Sequence, residues 1–308
     1  MTTYRFLTRN LLLFLALWLS ACAGFDSVKF SSNHISPDYN IHLPMGYASE
    51  NRYPLMLVLH GDPSTAWQTQ IYTGMDEVAD KNKFIVVYPN ALNKRWMSPE
   101  KIEIEIEYIK KVLTDVEKRY NVDDKKIYFV GLSGGGFFLT PLAQAIPEKM
   151  AAMVLVAATR MHFSRPGSNI SNIESSPQQK PIPLLFIMGT ADSLYKGDMR
   201  RNITSAEDTV RFWRQVNQCF KGPETYAIPP KNDSSPTSVK VLKYQSDIGK
   251  HVVFYRIENG GHHWPNSRFN ANYFVRAMGG DLGPLNMDFD TNQTIWDFVS
   301  QHSLDASR

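Results

Sequence analysis

The sequence predicts an α/β protein with a mostly parallel central sheet and helices on both of its faces. Two observations carry this expectation. Short apolar, β-rich runs recur at Tyr53–His60, Phe84–Tyr88, Ile127–Gly131, Met153–Ala157, Leu184–Met188 and Val252–Ile257. Between several of them lie stretches with helical spacing. A strand that is apolar throughout, rather than alternating, is buried on both faces, and strands alternating with helices build a parallel sheet.

The helix-like stretches are Asp76–Lys83, Ile104–Tyr120, Gly136–Ile146 and Ala206–Gln218. In the second, Ile109, Val112, Leu113 and Val116 recur on one face, while Lys110, Lys111, Asp115 and Lys118 occupy the other. Two polar stretches, Ser164–Pro181 and Gly222–Lys240, are rich in Ser, Pro and Asn and read as surface insertions. The first follows a strand end, where a solvated loop could also shape the mouth of a site. No internal repeat or linker divides the chain after residue 36, so 36–308 is expected to form one domain.

Composition narrows the function. Of 308 residues, 43% are hydrophobic and 20% charged, which excludes a disordered or fibrous chain. The formal charge is +3, and removal of a leader containing Arg5 and Arg9 leaves 31 basic against 30 acidic residues, or +1. A nearly neutral surface offers no electrostatic footprint for nucleic acid. Two cysteines cannot build a disulfide scaffold.

The N-terminus reads as an address. Residues 11–19 are continuously apolar, but nine residues at 1.5 Å each cannot span a bilayer core of ~30 Å. The stretch is a signal-peptide core. Leu19-Ser20-Ala21-Cys22 follows and resembles a bacterial lipobox, in which Cys22 becomes the lipidated first residue. An ordinary secretory signal cleaved near Ala23 is the alternative. The expected organisation is a leader over 1–21, a tether over 22–35 and the folded domain from 36. Ala23, rather than Asp, resembles sorting to the outer membrane of the cell envelope.

The chemistry gathers at strand ends. Gly131-Leu132-Ser133-Gly134-Gly135 fits G-x-S-x-G, between the apolar run Ile127–Val130 and the helix-like Gly136–Leu139. A nucleophile on a sharp strand-to-helix turn stands exposed above the sheet, and its neighbours must be small for strand and helix to pass closely. A phosphate cradle is disfavoured, because neither G-x-x-x-x-G-K-[ST] nor G-x-G-x-x-G is present.

Ser133 needs a base and a group to orient it. Five histidines follow it: His162, His251, His262, His263 and His302. His262 and His263 lie in the Gly-rich stretch Glu258–Pro265, directly after the Val252–Ile257 run, and loops at strand C-termini carry function in open α/β sheets. His162 follows another strand and is a candidate for the pocket. For the acid, Asp192 stands at once after Leu184–Met188, with Asp198 the runner-up. The oxyanion hole needs backbone N–H groups: Gly134 follows the nucleophile, and Asp62 lies in His60-Gly61-Asp62-Pro63 at the end of the first apolar run. Pro63 has no N–H to give. No cofactor is implied. The adjacent His262-His263 pair does not make a metal site, because neighbouring residues rarely aim both rings at one ion and no H-E-x-x-H is present.

Taken together, Tyr39–Tyr47, Pro54–Gly61, Tyr128–Gly135, Gly189–Asp192, Asp208–Trp213 running to Cys219, Gly260–Pro265 and Thr294–Phe298 resemble the polyhydroxybutyrate depolymerase and feruloyl esterase group of the α/β-hydrolases. The resemblance covers roughly residues 36–302. It implies an α/β-hydrolase fold and a serine carboxylic ester hydrolase with Ser133, Asp192 and His262 as its triad. The group's Gly-Gly-His-x-Trp-Pro pattern selects His262 over His263. The substrate pocket is expected near His60, Gly61, His162, His263 and Trp264, which stand in or beside the same strand-end loops, with Trp264 either shaping the pocket or packing under its loop. A peptidase or thioesterase on the same scaffold, or a surface-binding lipoprotein without catalysis, are the rival readings.

Two departures stand out. Members of the group often pair the cysteine equivalent to Cys219 with one before the last strand, where this chain has Ser246. Cys219 is therefore expected to be a buried thiol. Asp62 stands where members often have Cys or a small residue. Its carboxylate is expected to point away from the oxyanion site, because a negative charge there opposes the one that develops in the reaction.

Overall fold

The computed structural model describes residues 36–96, 101–161, 179–198, 202–271, 275–276 and 280–304. The leader, the tether, Cys22, His162 and most of Ser164–Pro181 lie outside these residues.

Nine strands form one sheet: β1 (Tyr39–His42), β2 (Tyr53–Leu59), β3 (Ile85–Pro89), β4 (Val122–Leu132), β5 (Ala152–Val156), β6 (Leu184–Gly189), β7 (Glu224–Ile228), β8 (Ser238–Tyr244) and β9 (Val252–Glu258). Their spatial order is β1-β3-β2-β4-β5-β6-β9-β8-β7. From β3 to β9 the neighbours are parallel, while β1 at one edge and β8 and β7 at the other pair antiparallel. Six helices accompany the sheet among the described residues: α1 (Ala66–Thr73), α2 (Met75–Asn82), α3 (Ile102–Arg119), α4 (Gly134–Ala145), α5 (Ala206–Val216) and α6 (Thr291–Val299).

The apolar runs become strands because both of their faces are covered. Leu55 and Leu57 of β2 are as fully buried as Met56 and Val58, although the two pairs point to opposite sides of the sheet. On one side, Met56, Val58 and Tyr128 share a core with Met75 and Val78 of α2 and with Ile295 and Val299 of α6. The ring of Phe84 stacks on Trp296 there, with centroids 4.3 Å apart. α3 buries Ile106, Ile109, Val112, Leu113 and Val116, the spacing the sequence shows.

Four elements depart from expectation. Gly222–Lys240 is not a mere insertion: it holds β7 and the start of β8, an antiparallel pair closing the sheet. β7 lies exposed at the edge and so lacks the apolar signature of a buried strand. β1 and α1 also form without a strong apolar pattern. α1 is started by Thr65, whose side chain accepts from the Gln68 N–H.

Register places the site. Gly131 of β4 pairs with Leu59 of β2 and with Leu155 of β5, and Gly189 of β6 pairs with Ile257 of β9. The C-terminal ends of these parallel strands therefore stand level along one edge of the sheet, and the loops that leave them converge.

Candidate active site

The chain turns sharply at Ser133, between β4 and α4. Its backbone has φ 48° and ψ −116°, a strained conformation for a residue with a side chain. Two hydrogen bonds hold the turn: the Ser133 N–H donates to Val156 O (2.9 Å) and the Gly135 N–H to His60 O (3.0 Å). The flanking glycines are required by space. A Cβ on Gly131 would stand 2.5 Å from the Gly136 backbone, and one on Gly134 would stand 2.3 Å from the Asp62 carboxyl carbon.

The Ser133 hydroxyl lies 2.9 Å from Nε2 of His262, and Nδ1 of His262 lies 2.7 Å from Asp192 Oδ2. The natural assignment has Ser133 donating to Nε2 and Nδ1–H donating to the carboxylate. Asp192 is fully buried at its side chain, and its second oxygen accepts the Leu194 N–H at 2.9 Å. The loops after β6 and β9 are tied by backbone bonds, Thr190 N–H to Ile257 O and Ala191 N–H to Gly260 O, each 2.9 Å. The acid and the histidine therefore keep a fixed spacing. Asp198, the runner-up, instead pairs through its backbone with Ile203.

A segment that the sequence did not single out supports the histidine loop. Gly261 N–H donates to Pro284 O (2.8 Å) and His262 N–H to Leu282 O (2.6 Å). Nothing in the local pattern of residues 280–284 marks that role, because it is made by backbone carbonyls.

Several expected pocket residues are placed elsewhere. His60 is fully buried: Nε2 accepts the Ala91 N–H at 3.0 Å and Nδ1 lies 2.8 Å from Gly61 O. Burial pushes its pKa down to about 4, partly offset by the Gly61 carbonyl. It is a structural histidine that fixes the loop to the segment after β3. Trp264 is also fully buried and packs under its loop, with its indole N–H donating to Asn292 Oδ1 at 2.9 Å. His263 is buried too, its Nε2 3.0 Å from Gly283 O, and burial lowers its pKa. Gly61 does reach the elbow: a Cβ there would lie 3.4 Å from Ser133 Cβ. His162 lies outside the described residues.

Asp62 does not turn away from the elbow. Its carboxyl stands against Gly134, and Oδ1 accepts the Trp96 backbone N–H at 3.0 Å. That bond holds the side chain over the turn, where solvation alone would draw it outward. Trp96 itself is buried, donates its indole N–H to His60 O (3.0 Å) and stacks on Phe138 of α4. The Gly134 N–H opens α4, where the first N–H groups have no partner within the helix.

Cys219 is a free, buried thiol, and burial raises its pKa. Its sulfur lies 3.8 Å from Asn217 O, to which the Ser246 hydroxyl donates at 2.5 Å. No group of three or more His, Cys, Asp or Glu among the described residues could hold a metal ion.

No protein-family model matches the chain. In sequence it is 25% identical over 271 residues to a bifunctional acetylxylan esterase/xylanase of Neocallimastix patriciarum, covering 87% of this chain and 34% of that protein. The chain thus spans about a third of that relative's length. It is 22% identical over 254 residues to feruloyl esterase D of Neurospora crassa, covering 79% of each. A shorter match, 30% over 126 residues, joins it to poly(3-hydroxyalkanoate) depolymerase C of Paucimonas lemoignei, covering 38% of this chain and 30% of that one. In structure it superimposes on an acetyl xylan esterase from Aspergillus awamori with a TM-score of 0.54 at 14% identity, covering 78% of this chain and 93% of the other. The chain is thus an α/β-hydrolase in fold, and a homologue of acetylxylan esterase, feruloyl esterase and poly(3-hydroxyalkanoate) depolymerase in sequence.

Proposed function

We propose that the protein is a serine carboxylic ester hydrolase whose triad is Ser133, His262 and Asp192. The observation that carries this is the continuous hydrogen-bonded line from the strained elbow serine, through His262, to a buried carboxylate. Ser133 Oγ attacks the ester carbonyl while His262 Nε2 takes its proton. Asp192 holds Nδ1–H, fixing the tautomer and stabilising the imidazolium. The N–H groups of Gly134 and Asp62 receive the negative charge that develops on the carbonyl oxygen. His262 then gives its proton to the departing alcohol, leaving an acyl-serine. Water attacks that ester with His262 again as base, releasing the acid and restoring the hydroxyl.

The relatives' names point to short-chain acyl, feruloyl-like or hydroxyalkanoate esters as the substrate class. Hydrolysis of p-nitrophenyl butyrate tests the reading. Ser133→Ala is expected to lower kcat on the order of 10⁴–10⁶-fold, and a fluorophosphonate is expected to label Ser133 in the wild type. A wild type that neither turns over nor is labelled overturns it.

A further inference from the structure

The two N–H groups assigned to the oxyanion come from different elements. Gly134 opens α4, and Asp62 lies in the loop after β2. Two donors stabilise a developing charge well only if their spacing is set before the substrate arrives. The Gly135 N–H donates to His60 O at 3.0 Å and ties the elbow to the loop at one point. A single bond fixes a distance but not an orientation.

Trp96, which belongs to neither element, ties them again. It ends the described segment after β3 and is fully buried. An indole N–H is a donor only and, when buried, needs an acceptor. Here it donates at 3.0 Å to His60 O, the same carbonyl that accepts the Gly135 N–H. A carbonyl oxygen has two lone pairs, so one atom takes both bonds. The Trp96 backbone N–H donates to Asp62 Oδ1 at 3.0 Å. Its ring stacks on Phe138 of α4, with centroids 5.2 Å apart and planes at 19°, and meets the His60 ring at 5.0 Å. Phe138 lies about one helical turn beyond Gly134. One residue therefore holds the loop at His60 and at Asp62, and the elbow helix at Phe138. The segment that carries Trp96 is itself fixed: Ala91 N–H donates to His60 Nε2 at 3.0 Å, and Ala66 N–H to Asn90 Oδ1 at 2.7 Å.

We propose that Trp96 is a positioning residue for ester hydrolysis, holding the N–H groups of Asp62 and Gly134 at the spacing an oxyanion needs. The inference rests on the serine hydrolase reading. Trp96 acts through His60, Asp62 and Phe138. The ester carbonyl gains its full negative charge only when Ser133 attacks. Loss of the spacing therefore falls on the transition state and leaves ground-state binding nearly as it was.

Trp96→Phe keeps a stacked ring and the backbone N–H, and removes the indole donor. On p-nitrophenyl butyrate its kcat is expected to fall about tenfold, with KM within about twofold of the wild type. A short-chain trifluoromethyl ketone forms a hemiketal with Ser133 whose oxygen takes the oxyanion's place. Its Ki should rise about tenfold in Trp96→Phe, in step with kcat. A role in packing alone would lower the Tm, or the fraction of Ser133 that a fluorophosphonate labels. It would leave the kcat of each labelled molecule and the ketone Ki unchanged.

A second pair of variants serves if Trp96→Phe fails to fold. Asp62→Asn keeps an acceptor for the Trp96 N–H and Asp62→Ala does not, while both keep the backbone N–H of position 62. The kcat of Asp62→Ala is expected about tenfold below that of Asp62→Asn. A Trp96→Phe protein with unchanged kcat and ketone Ki, or with a loss confined to KM, overturns the proposal. Equal kcat in Asp62→Asn and Asp62→Ala does so too. A wild type that neither turns over nor takes the label instead overturns the serine hydrolase reading itself, and this proposal with it.

Discussion

Asp192 receives two donors at once, the His262 Nδ1–H on one oxygen and the Leu194 N–H on the other. That pairing asks for an acceptor on both sides. An asparagine keeps one oxygen but places an NH₂ opposite one of the donors, so the imidazole is held in the wrong tautomer or left unheld. Asp192→Asn is expected to lower kcat on the order of 10⁴-fold with KM little changed, because the lost interaction matures in the transition state. Steady-state kinetics on p-nitrophenyl butyrate check this; a loss confined to KM would remove Asp192 from the triad. At this scale the sequence was informative where residue type and strand-end position coincide, as at Ser133, Asp192 and His262. It was uninformative about burial. His60 and Trp264 stand in motifs as suggestive as that of His262, yet both point inward, and a single side chain's direction is set by tertiary packing. The same holds for Asp62, whose orientation depends on a backbone N–H 34 residues away.

The strands and helices were legible where their environment is uniform. β2, β5 and β6 are buried along nearly their whole length, so they show as unbroken apolar runs. β7 is exposed and β8 alternates at its start, with buried Val239 and Val241 each following an exposed residue, Ser238 and Lys240, so the pair merged with the polar stretch around it. α1 carries apolar Trp67 and Ile71 on its exposed face, which blurs the amphipathic pattern. The turn after α5 and the end of β8 meet around one atom, Asn217 O, which both Cys219 and Ser246 contact. Ser246→Cys therefore brings two sulfurs to the same place, closing a loop from 219 to 246. A disulfide there should stabilise the fold by roughly 3 kcal/mol, through the smaller entropy of the unfolded chain. Thiol titration before and after reduction, with the Tm of each form, checks it. Two free thiols under oxidising conditions would mean that the side chains point past each other.

Over the whole molecule, the parallel order of β2, β4, β6 and β9 gathers side chains that are far apart in sequence, 129 positions in the case of Ser133 and His262. Every residue placed in that site lies among the described residues 36–304. Among the described residues no helix is long and apolar enough to cross a membrane. The charge of +1 expected after leader removal gives little electrostatic hold on an anionic surface. We infer that attachment comes through lipid on Cys22, where two or more acyl chains anchor stably and one chain binds only reversibly. Expressed in a bacterial host, the full chain should sediment with membranes, resist extraction by high salt and incorporate labelled palmitate. Cys22→Ala should lose the label and leave the membrane fraction, with ester hydrolysis per molecule unchanged. A Cys22→Ala protein that still sediments with membranes and resists salt would place the anchor elsewhere and make the leader an ordinary secretory one.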